Sequence, residues 1–316
     1  MPAINLEIDR VLQYILPHIT RYLSQQSAAA SFHRPFKLAV TGLQGSGKST
    51  WSSQIVEVIN KKGLKARTLS LDDLYLPHEG LIAVRDANPE NKLLRTRGQP
   101  GTHDVELAKW FFQQFEEPTA EPKLFPIFDK SKFHGEGDRL PKSEWHTSPP
   151  DEIVDVLVFE GWCVGFRPLQ DDAISAAWNE AKNSPLSHDD FSKSRPIKTL
   201  ANHGVADLRY INGQLGTYCD FFMGPQHWDY MVHLDTDDLR NVYAWRLEQE
   251  TFLRQTKGTG MSDNAVVEFI KGYMPAYELY LGNLRKGFFQ QNGSNNGCQL
   301  SIKLGEQRQI VDVREI

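Results

Sequence analysis

Apolar residues recur at helical spacing near the start of this 316-residue chain, at Ile8, Val11, Leu12, Ile15, Ile19 and Leu23. This spacing predicts an amphipathic helix over residues 6–24. The stretch SQQSAAAS that follows is small and polar, which is typical of a connector. We therefore predict that residues 1–35 form a helix and connector ahead of a larger domain at residues 36–316.

Short apolar runs alternate with helical patterns through the rest of the chain. The predicted strands cover residues 37–40, 66–71, 153–159, 229–235 and 299–304. After the first strand, residues 49–60 show helical spacing and lead into a KKG stop signal. Strands that alternate with helices predict an α/β fold, in which a parallel sheet is covered by helices on both faces.

Two long polar segments, residues 73–150 and 163–228, exceed what such a sheet needs. Insertions of this length usually carry substrate contacts or lids. A third polar stretch, NGSNNG at residues 292–297, is typical of a turn-rich surface loop. We therefore expect one sheet domain with two functional insertions.

Composition narrows the class of protein. The net charge is −5, with 40% hydrophobic and 24% charged residues, which gives no indication of a nucleic acid or membrane partner. The three cysteines, Cys163, Cys219 and Cys298, match no zinc spacing. No apolar run approaches the roughly 18 residues that a membrane span needs. We expect a cytoplasmic protein, with the nucleus left open, that has no nucleic acid or membrane partner. Its oligomeric state is left open.

The segment TGLQGSGKST matches the phosphate-loop pattern G-x-x-x-x-G-K-[ST] and lies between a predicted strand and a predicted helix. Glycines let backbone N–H groups turn toward an anion, and the helix N-terminus adds partial positive charge. Lys48 is expected to reach the β- and γ-phosphates and Ser49 to hold Mg²⁺. The alternative is a flexible Gly/Ser turn. The expected nucleotide-binding residues are Gly42, Leu43, Gln44, Gly45, Ser46, Gly47, Lys48, Ser49 and Thr50.

Acidic residues follow two of the predicted strands. Asp72 and Asp73 come just after the second strand, and Glu160 ends the third. Ligands of open α/β sheets bind at the carboxyl ends of the strands. We predict Asp72 as the base that accepts a hydroxyl proton, Asp73 as a helix cap or metal ligand, and Glu160 as a residue near Mg²⁺. Two alternatives stay open. Asp73 is the base in place of Asp72, or both aspartates only cap a helix.

The segment LRNVYAWRLEQE, residues 239–250, predicts a helix that carries Arg240 and Arg246 and precedes a hinge-like KGTG at residues 257–260. Small-molecule kinases need a lid that excludes water, often with arginines on it. Arg246 is therefore a candidate for stabilising developing charge. A solvated helix face with ordinary ion pairs is the alternative. A base-reading N-K-x-D motif of the GTPase type is absent from the sequence.

Two charged clusters in the first insertion, RGQPGTHD (97–104) and FDKSKFHGEGDR (128–139), are candidates for the acceptor site. Arginine forks suit a carboxylate acceptor, so Arg97, Lys130 and Arg139 are expected to face the acceptor and the transferring phosphoryl group. Solvated surface loops are the alternative. The full set of expected substrate-binding residues is Asp73, Tyr75, Arg97, His103, Asp104, Lys130 and Arg139.

An ordered set of motifs extends beyond the phosphate loop. It comprises GLQGSGKS, SLDDLYLPHEG, NKLLRTRGQPGTHD, FDKSKFHGEGDR, VFEGWCVGF, YAWRLEQE and GMSDNAVVEFIKGYMPAYELY. In these motifs the chain resembles the plant-type D-glycerate 3-kinases and their fungal homologues over residues 36–316. It is more distantly similar to uridine kinase, phosphoribulokinase and bacterial pantothenate kinase.

The resemblance implies a P-loop kinase fold, ATP with Mg²⁺, and phosphorylation of a small hydroxylated molecule. It matches Asp72 to the proposed base, Glu160 to the strand-end acid and Arg246 to the lid arginine. Two departures bear on the acceptor: Leu74 stands where the plant enzymes tend to have Phe, and residues 170–205 form a longer polar segment.

We therefore expect D-glycerate as acceptor and 3-phosphoglycerate as product. One alternative is a nucleoside or a pantothenate-like alcohol. Another is a non-catalytic, ATP-binding regulatory protein, against which the charged loops argue.

Overall fold

The computed structural model describes residues 2–26, 33–117, 121–149, 152–183, 195–258, 260–289 and 297–316. The strands are β1 (Phe36–Gly42), β2 (Ala66–Ser70), β3 (Leu124–Phe125), β4 (Phe128–Asp129), β5 (Asp138–Arg139), β6 (His146–Thr147), β7 (Val156–Gly161), β8 (Tyr230–Asp235), β9 (Gln299–Leu304) and β10 (Ile310–Glu315). The α-helices are α1 (Pro2–Gln25), α2 (Lys48–Lys61), α3 (His78–Ala87), α4 (Val105–Gln113), α5 (Asp171–Asn183), α6 (Val205–Tyr218), α7 (Arg240–Lys257), α8 (Asp263–Lys271), α9 (Met274–Ala276) and α10 (Gly282–Lys286). Short π-helical segments span Cys219–Met223 and Tyr277–Leu281.

A six-stranded sheet organises the fold in the order β10-β9-β8-β1-β7-β2. All neighbouring strands are parallel except β10, which runs antiparallel to β9. Strands β7 and β8 are buried along their whole length, as expected for parallel strands covered on both faces. The predicted α/β fold with a mostly parallel sheet is confirmed.

Two details of the sheet differ from the prediction. Strand β7 begins at Val156 rather than at residue 153, because the preceding Asp155 is held by Lys65. The backbone N–H of Asp155 donates to Lys65 O at 2.7 Å, and its side chain accepts from Lys65 N at 2.7 Å. Strand β10 was not predicted, because it is a largely exposed edge strand without an apolar run.

The apolar face of α1 packs on α2 and β1, and its buried residues belong to the same hydrophobic core as the sheet. The division of the chain at residue 35 stays a prediction, since residues 27–31 of the predicted connector lie outside the described residues. Among the helices that the structure describes, none has both the length and the apolar composition to cross a membrane.

The two predicted insertions fold against the sheet domain. The first carries α3, α4 and the two small ribbons β3–β6 and β4–β5. The second carries α5 and α6, with residues 184–194 of its polar segment outside the described residues. The first insertion meets the sheet edge through contacts of β4 and α4 with the 3-10 turn at Leu71–Leu74. This brings the first insertion to the carboxyl end of β2. Most of the predicted surface loop at residues 292–297 also lies outside the described part.

Candidate active site

The phosphate loop joins the end of β1 at Gly42 to the start of α2 at Lys48. Gly45 and Gly47 have φ angles of 79° and 91°, a left-handed region that side chains other than glycine adopt at a cost. No side chain caps α2, whose N-cap residue is Gly47. The first turn of the helix is therefore suited to an anion, which would satisfy its backbone N–H groups.

The loop is packed closely against α7. A Cβ atom on Gly45 would lie 2.7 Å from Trp245 Cβ and 3.1 Å from the backbone nitrogen of Arg246. On the other side, a Cβ on Gly42 would lie 2.8 Å from Leu234 Cβ. A side chain at either position would clash with these neighbours, so both positions require glycine. The loop is held between β8 and the predicted lid helix.

A cavity of about 210 Å³, which we call the phosphate cavity, opens over this loop. It brings together the loop, both strand-end acids and the predicted lid arginine. Leu43 and Ser46, by contrast, are buried beneath the loop. The cavity is lined by Gln44, Gly45, Gly47, Lys48, Ser49, Thr50, Asp72, Lys130, Glu160, Gly161, Trp162, Arg246 and Gln249.

Lys48 is held back over its own loop, because its Nζ donates to Leu43 O at 3.1 Å. Burial lowers the pKa of Lys48, while the carboxylates of Glu160 and Asp72 oppose that shift. Among the lining residues, Lys48, Lys130 and Arg246 carry three positive charges against two carboxylates. The cavity is therefore electrostatically suited to a phosphate chain.

Ser49 and Glu160 meet at the expected magnesium position. Ser49 Oγ donates to Glu160 Oε1 at 2.8 Å, and Glu160 is only 5% exposed at the end of β7. This pair of oxygen donors fits Mg²⁺, which proteins usually bind through one or two side chains plus substrate phosphates. Within the described ranges, no group of three or more His, Cys, Asp and Glu side chains could hold a metal without such help.

Asp72 faces the phosphate cavity from the 3-10 turn that follows β2. Its Oδ2 accepts from Lys130 Nζ at 2.5 Å, and its Oδ1 accepts from the hydroxyl of Tyr75 at 3.0 Å. Burial raises the pKa of Asp72, but the adjacent Lys130, His103 and Tyr75 outweigh it and lower the pKa to about 2. The carboxylate is therefore ionised and oriented at neutral pH.

Asp73 turns away from the cavity, toward the first insertion. Its Oδ1 accepts from the backbone N–H of Phe128 at 3.1 Å. Burial and the nearby charge of Asp72 raise its pKa to about 6, although the bond from Phe128 opposes the shift. Asp73 is absent from the cavity lining, so its contact is that of a cap on β4, and its metal role stays a prediction.

Tyr75 and His103 form a buried stack beside Asp72, with ring centroids 4.3 Å apart. Burial lowers the pKa of His103 to about 3, so its ring is neutral. His103 Nδ1 lies 3.1 Å from the hydroxyl of Tyr218, and its Nε2 is buried without a partner among the described residues. Tyr75 thus supports Asp72 from behind, and a direct acceptor contact for either ring stays a prediction.

Three further predicted acceptor residues bind other parts of the protein. Asp104 caps α4 and accepts from Arg139 Nη2 at 2.9 Å, and Arg139 also donates to Tyr75 O at 2.7 Å. Arg97 donates to the backbone carbonyl of Glu136 at 2.6 Å and lies over the Phe128 ring. These contacts fix the charged loops to each other, and substrate roles for these residues stay predictions.

The two arginines of the predicted lid helix differ in position. Arg246 lines the phosphate cavity, pairs with Glu250 at 2.5 Å and lies 5.0 Å from the ring centroid of Phe269. Arg240 pairs with Asp238 at the start of α7. Of these two arginines, Arg246 alone lines the phosphate cavity. Of the predicted hinge, Gly258 ends α7 with φ 68°, and Thr259 lies outside the described residues.

No family model matches the chain. It is 35% identical over 273 residues to an uncharacterized kinase of Schizosaccharomyces pombe, mug58, covering 86% of this chain and 90% of that one. It is 31% identical over 277 residues to the chloroplastic D-glycerate 3-kinase of Arabidopsis thaliana, covering 87% of this chain and 53% of the plant protein.

A solved structure, D-glycerate 3-kinase from Cryptococcus neoformans, matches with a TM-score of 0.84 and 29% identity, covering 98% of this chain and 99% of that one. The chain belongs to the family of plant-type D-glycerate 3-kinases and their fungal homologues. The predicted resemblance is confirmed, and the protein is a P-loop kinase.

Several site residues of this P-loop kinase escaped the sequence analysis. Trp162 and Gln249 line the phosphate cavity, and the hydroxyl of Tyr277 accepts from Gln44 N at 3.0 Å. Trp162 belongs to the motif VFEGWCVGF, in which only Glu160 was predicted to have a role. Gln249 lies in the predicted lid helix and Tyr277 lies in the motif GMSDNAVVEFIKGYMPAYELY, but neither residue was assigned a role.

Arg308 is another kinase residue that was missed. It lies in the β9–β10 turn, where its Nε donates to Gly45 O at 2.7 Å and its Nη2 donates to Trp245 O at 3.0 Å. Its Nη1 pairs with Glu248 at 2.5 Å. A single guanidinium therefore connects the phosphate loop to α7.

Leu74, which stands where the plant enzymes tend to have Phe, is fully buried in the core.

Proposed function

We propose that this kinase transfers the γ-phosphoryl group of ATP to a hydroxyl of D-glycerate, giving ADP and 3-phosphoglycerate. The observation that carries the transfer is the meeting of Lys48, Asp72 and Glu160 around one phosphate-sized cavity. The choice of D-glycerate rests on the plant and Cryptococcus relatives that bear that name. The density of charge around the cavity favours a catalyst over a nucleotide-binding regulator.

ATP would bind with its phosphates over the loop, where the first turn of α2 and Lys48 receive the negative charge. Ser49 and Glu160 would hold Mg²⁺, since their oxygens lie together beside the loop. Magnesium, when bound, supplies charge neutralisation between the β- and γ-phosphates. Arg246 and Lys130 would then complete the positive lining around the γ-phosphoryl group.

In the transfer step, the glycerate hydroxyl oxygen forms a bond to the γ-phosphorus while the bond from that phosphorus to the β–γ bridging oxygen breaks. ADP leaves with the electron pair, and the hydroxyl proton passes to Asp72. With a pKa of about 2, Asp72 is ionised but only weakly basic. The proton therefore moves late, and the enzyme acts chiefly by positioning and by stabilising charge.

The acceptor screen tests this proposal. The purified protein is incubated with ATP and Mg²⁺, and ADP release is measured with D-glycerate, uridine or pantothenate. We expect D-glycerate alone to raise ADP release, and phosphorus NMR to find the new ester on the carbon-3 oxygen.

Each other outcome rejects a part of the proposal. Stimulation by uridine or pantothenate without glycerate would keep the kinase and change its acceptor. Slow ATP loss that no metabolite alters would favour the regulatory alternative.

A further inference from the structure

A second and larger cavity, of about 660 Å³, lies beside the phosphate cavity; we call it the basic cavity. Its size falls in the range of small-molecule sites, about 300–1,000 Å³. It is built from residues 92–99, residues 199–203 and α8 with the residues that follow it, three segments far apart in the chain. The residues that decide its character are Lys92, Arg95, Arg97, Glu268, Lys271 and Tyr273.

The charge of the basic cavity opposes that of the whole chain. Four cationic side chains and one carboxylate line it, which leaves three positive charges in a protein of net charge −5. Lys271 is paired with Glu268 at 2.6 Å. Lys92 and Arg95 are exposed at the cavity and have no ion-pair partner in the described part of the chain. Such a site attracts and holds small anions.

The floor of the basic cavity is fixed by hydrogen bonds. Gln99 Nε2 donates to Gly272 O at 2.8 Å, and Thr199 Oγ1 donates to Lys271 O at 3.4 Å. These bonds join the first insertion and residue 199 to the end of α8. The cavity is therefore a formed site between elements, not a gap between loose loops.

The partition between the two cavities is thin. Trp162 lines the phosphate cavity, while its indole N–H donates to Gly98 O in the lining of the basic cavity at 2.9 Å. The ring of Trp162 lies 4.7 Å from that of Tyr273. Phe269, on the basic side, packs against Arg246 on the phosphate side. A ligand in the basic cavity would thus lie next to the phosphate cavity.

Tyr273 presents a free polar group at this partition. Its ring is almost fully buried, yet its hydroxyl has no hydrogen-bond partner among the described residues. The hydroxyl approaches Gly98 so closely that a Cβ there would lie 2.7 Å away. An unpaired hydroxyl beside the phosphate cavity can form a hydrogen bond with a hydroxyl of the substrate.

We propose that the basic cavity binds the phosphoryl acceptor, with the carboxylate of a small hydroxy acid at Lys92 and Arg95 and its reacting hydroxyl between Tyr273 and Asp72. This inference rests on the proposed function and adds the acceptor's location and its selection by charge. It replaces the charged loops at 128–139 as the main acceptor contact, since those loops are bound to each other.

The test is the double variant K92Q/R95Q, which removes two exposed charges and no buried contact. We expect the KM for D-glycerate to rise at least tenfold, with kcat and the KM for ATP within twofold of the wild type. The matched control is K62Q/K65Q, which makes the same charge change on two exposed lysines after α2 and should leave all three constants unchanged. An unchanged KM for D-glycerate in K92Q/R95Q would overturn the proposal.

Glycerol sharpens the experiment, because it keeps the hydroxyls of glycerate and lacks the carboxylate. Its kcat/KM should be the same in the wild type and K92Q/R95Q. An equal loss for glycerol and D-glycerate would mean that the variant damages the site in general, and would also overturn the proposal.

A second measurement distinguishes failure of the proposed function from failure of this inference. If the wild type does not phosphorylate D-glycerate, calorimetry in the presence of ADP and Mg²⁺ tests the cavity directly, with D-glycerate and the longer D-gluconate as probes. Binding to the wild type that weakens at least tenfold in K92Q/R95Q supports a hydroxy-acid site. Equal binding to both proteins, or no binding to the wild type, rejects it.

Discussion

The phosphate cavity and the basic cavity adjoin each other across Trp162, and they are built differently. In the phosphate cavity most functional groups already have a partner: Lys48 with Leu43, Ser49 with Glu160, and Asp72 with Lys130. In the basic cavity, Lys92 and Arg95 have none among the described residues. The donor half is preorganised by internal bonds, while the proposed acceptor half keeps charges ready for an external anion.

Substitution of Asp72 should give the largest effect on the donor half. We expect Asp72→Asn to lower kcat by about 10²–10⁴-fold, because it removes the proton acceptor, while the KM for ATP changes less than twofold. Steady-state kinetics with D-glycerate measure both. Asp73→Asn is the matched control, since the neighbouring carboxylate faces Phe128. Full turnover in Asp72→Asn with loss in Asp73→Asn would reverse their roles.

The next effect concerns magnesium. Ser49→Ala removes the hydroxyl that contacts Glu160, and we expect kcat to fall about 100-fold with a higher Mg²⁺ concentration for half-maximal rate. A magnesium titration of the initial rate measures this. Ser53→Ala, one turn further along α2 on an exposed position, should behave as wild type. An unchanged magnesium curve for Ser49→Ala would remove Ser49 from the metal site.

A smaller effect is expected at Arg308, which supports the phosphate loop without lining the cavity. Arg308→Ala removes the bonds to Gly45 and Trp245, and a charge-assisted hydrogen bond contributes about 1.5–3 kcal/mol. We expect the KM for ATP to rise about tenfold, while the KM for D-glycerate stays within twofold. Arg314→Ala on the exposed face of β10 is the control. Equal changes in both KM values would mean general damage.

The smallest effect is a pH dependence of stability at Asp73. Its pKa is raised to about 6 from 3.8, so the folded protein takes up a proton below pH 6 that the unfolded chain takes up only near pH 4. The free energy of unfolding of the wild type should therefore rise by about 2 kcal/mol relative to that of Asp73→Asn as the pH falls from 7 to 4. This gain is lost again as the pH rises through 6. Denaturant unfolding of both proteins measures the difference, and a constant difference would contradict the burial of this carboxylate.

The gathering of Lys48, Asp72 and Glu160 around one cavity could be predicted from the sequence, because its signals are local. The phosphate loop follows β1, Asp72 follows β2 and Glu160 lies at the end of β7, and the parallel sheet brings the carboxyl ends of these strands to one edge. The strand boundaries were predicted less well, because Asp155 is held by a long-range contact with Lys65. Strand β10 was missed because an exposed edge strand needs no apolar repeat.

The proposed acceptor half could not be predicted in the same way from the sequence. Asp104 and Arg139 look like free charges in the chain, yet the fold pairs them across 35 positions. Lys92, Arg95 and Lys271 look like ordinary surface cations, and only the folded chain gathers them around one cavity. Composition and motif spacing carry no information about such a meeting of distant segments.

Trp162 stands in the partition between the two cavities, with its indole bonded to Gly98 and its ring against Tyr273. A nucleotide in the phosphate cavity that displaces this ring would change the shape of the basic cavity, and with it the affinity for a ligand there. Thermodynamic reciprocity then requires the acceptor to alter nucleotide affinity by the same factor. Trp162 would thereby couple the two cavities, so that each ligand binds with a different affinity once the other is present.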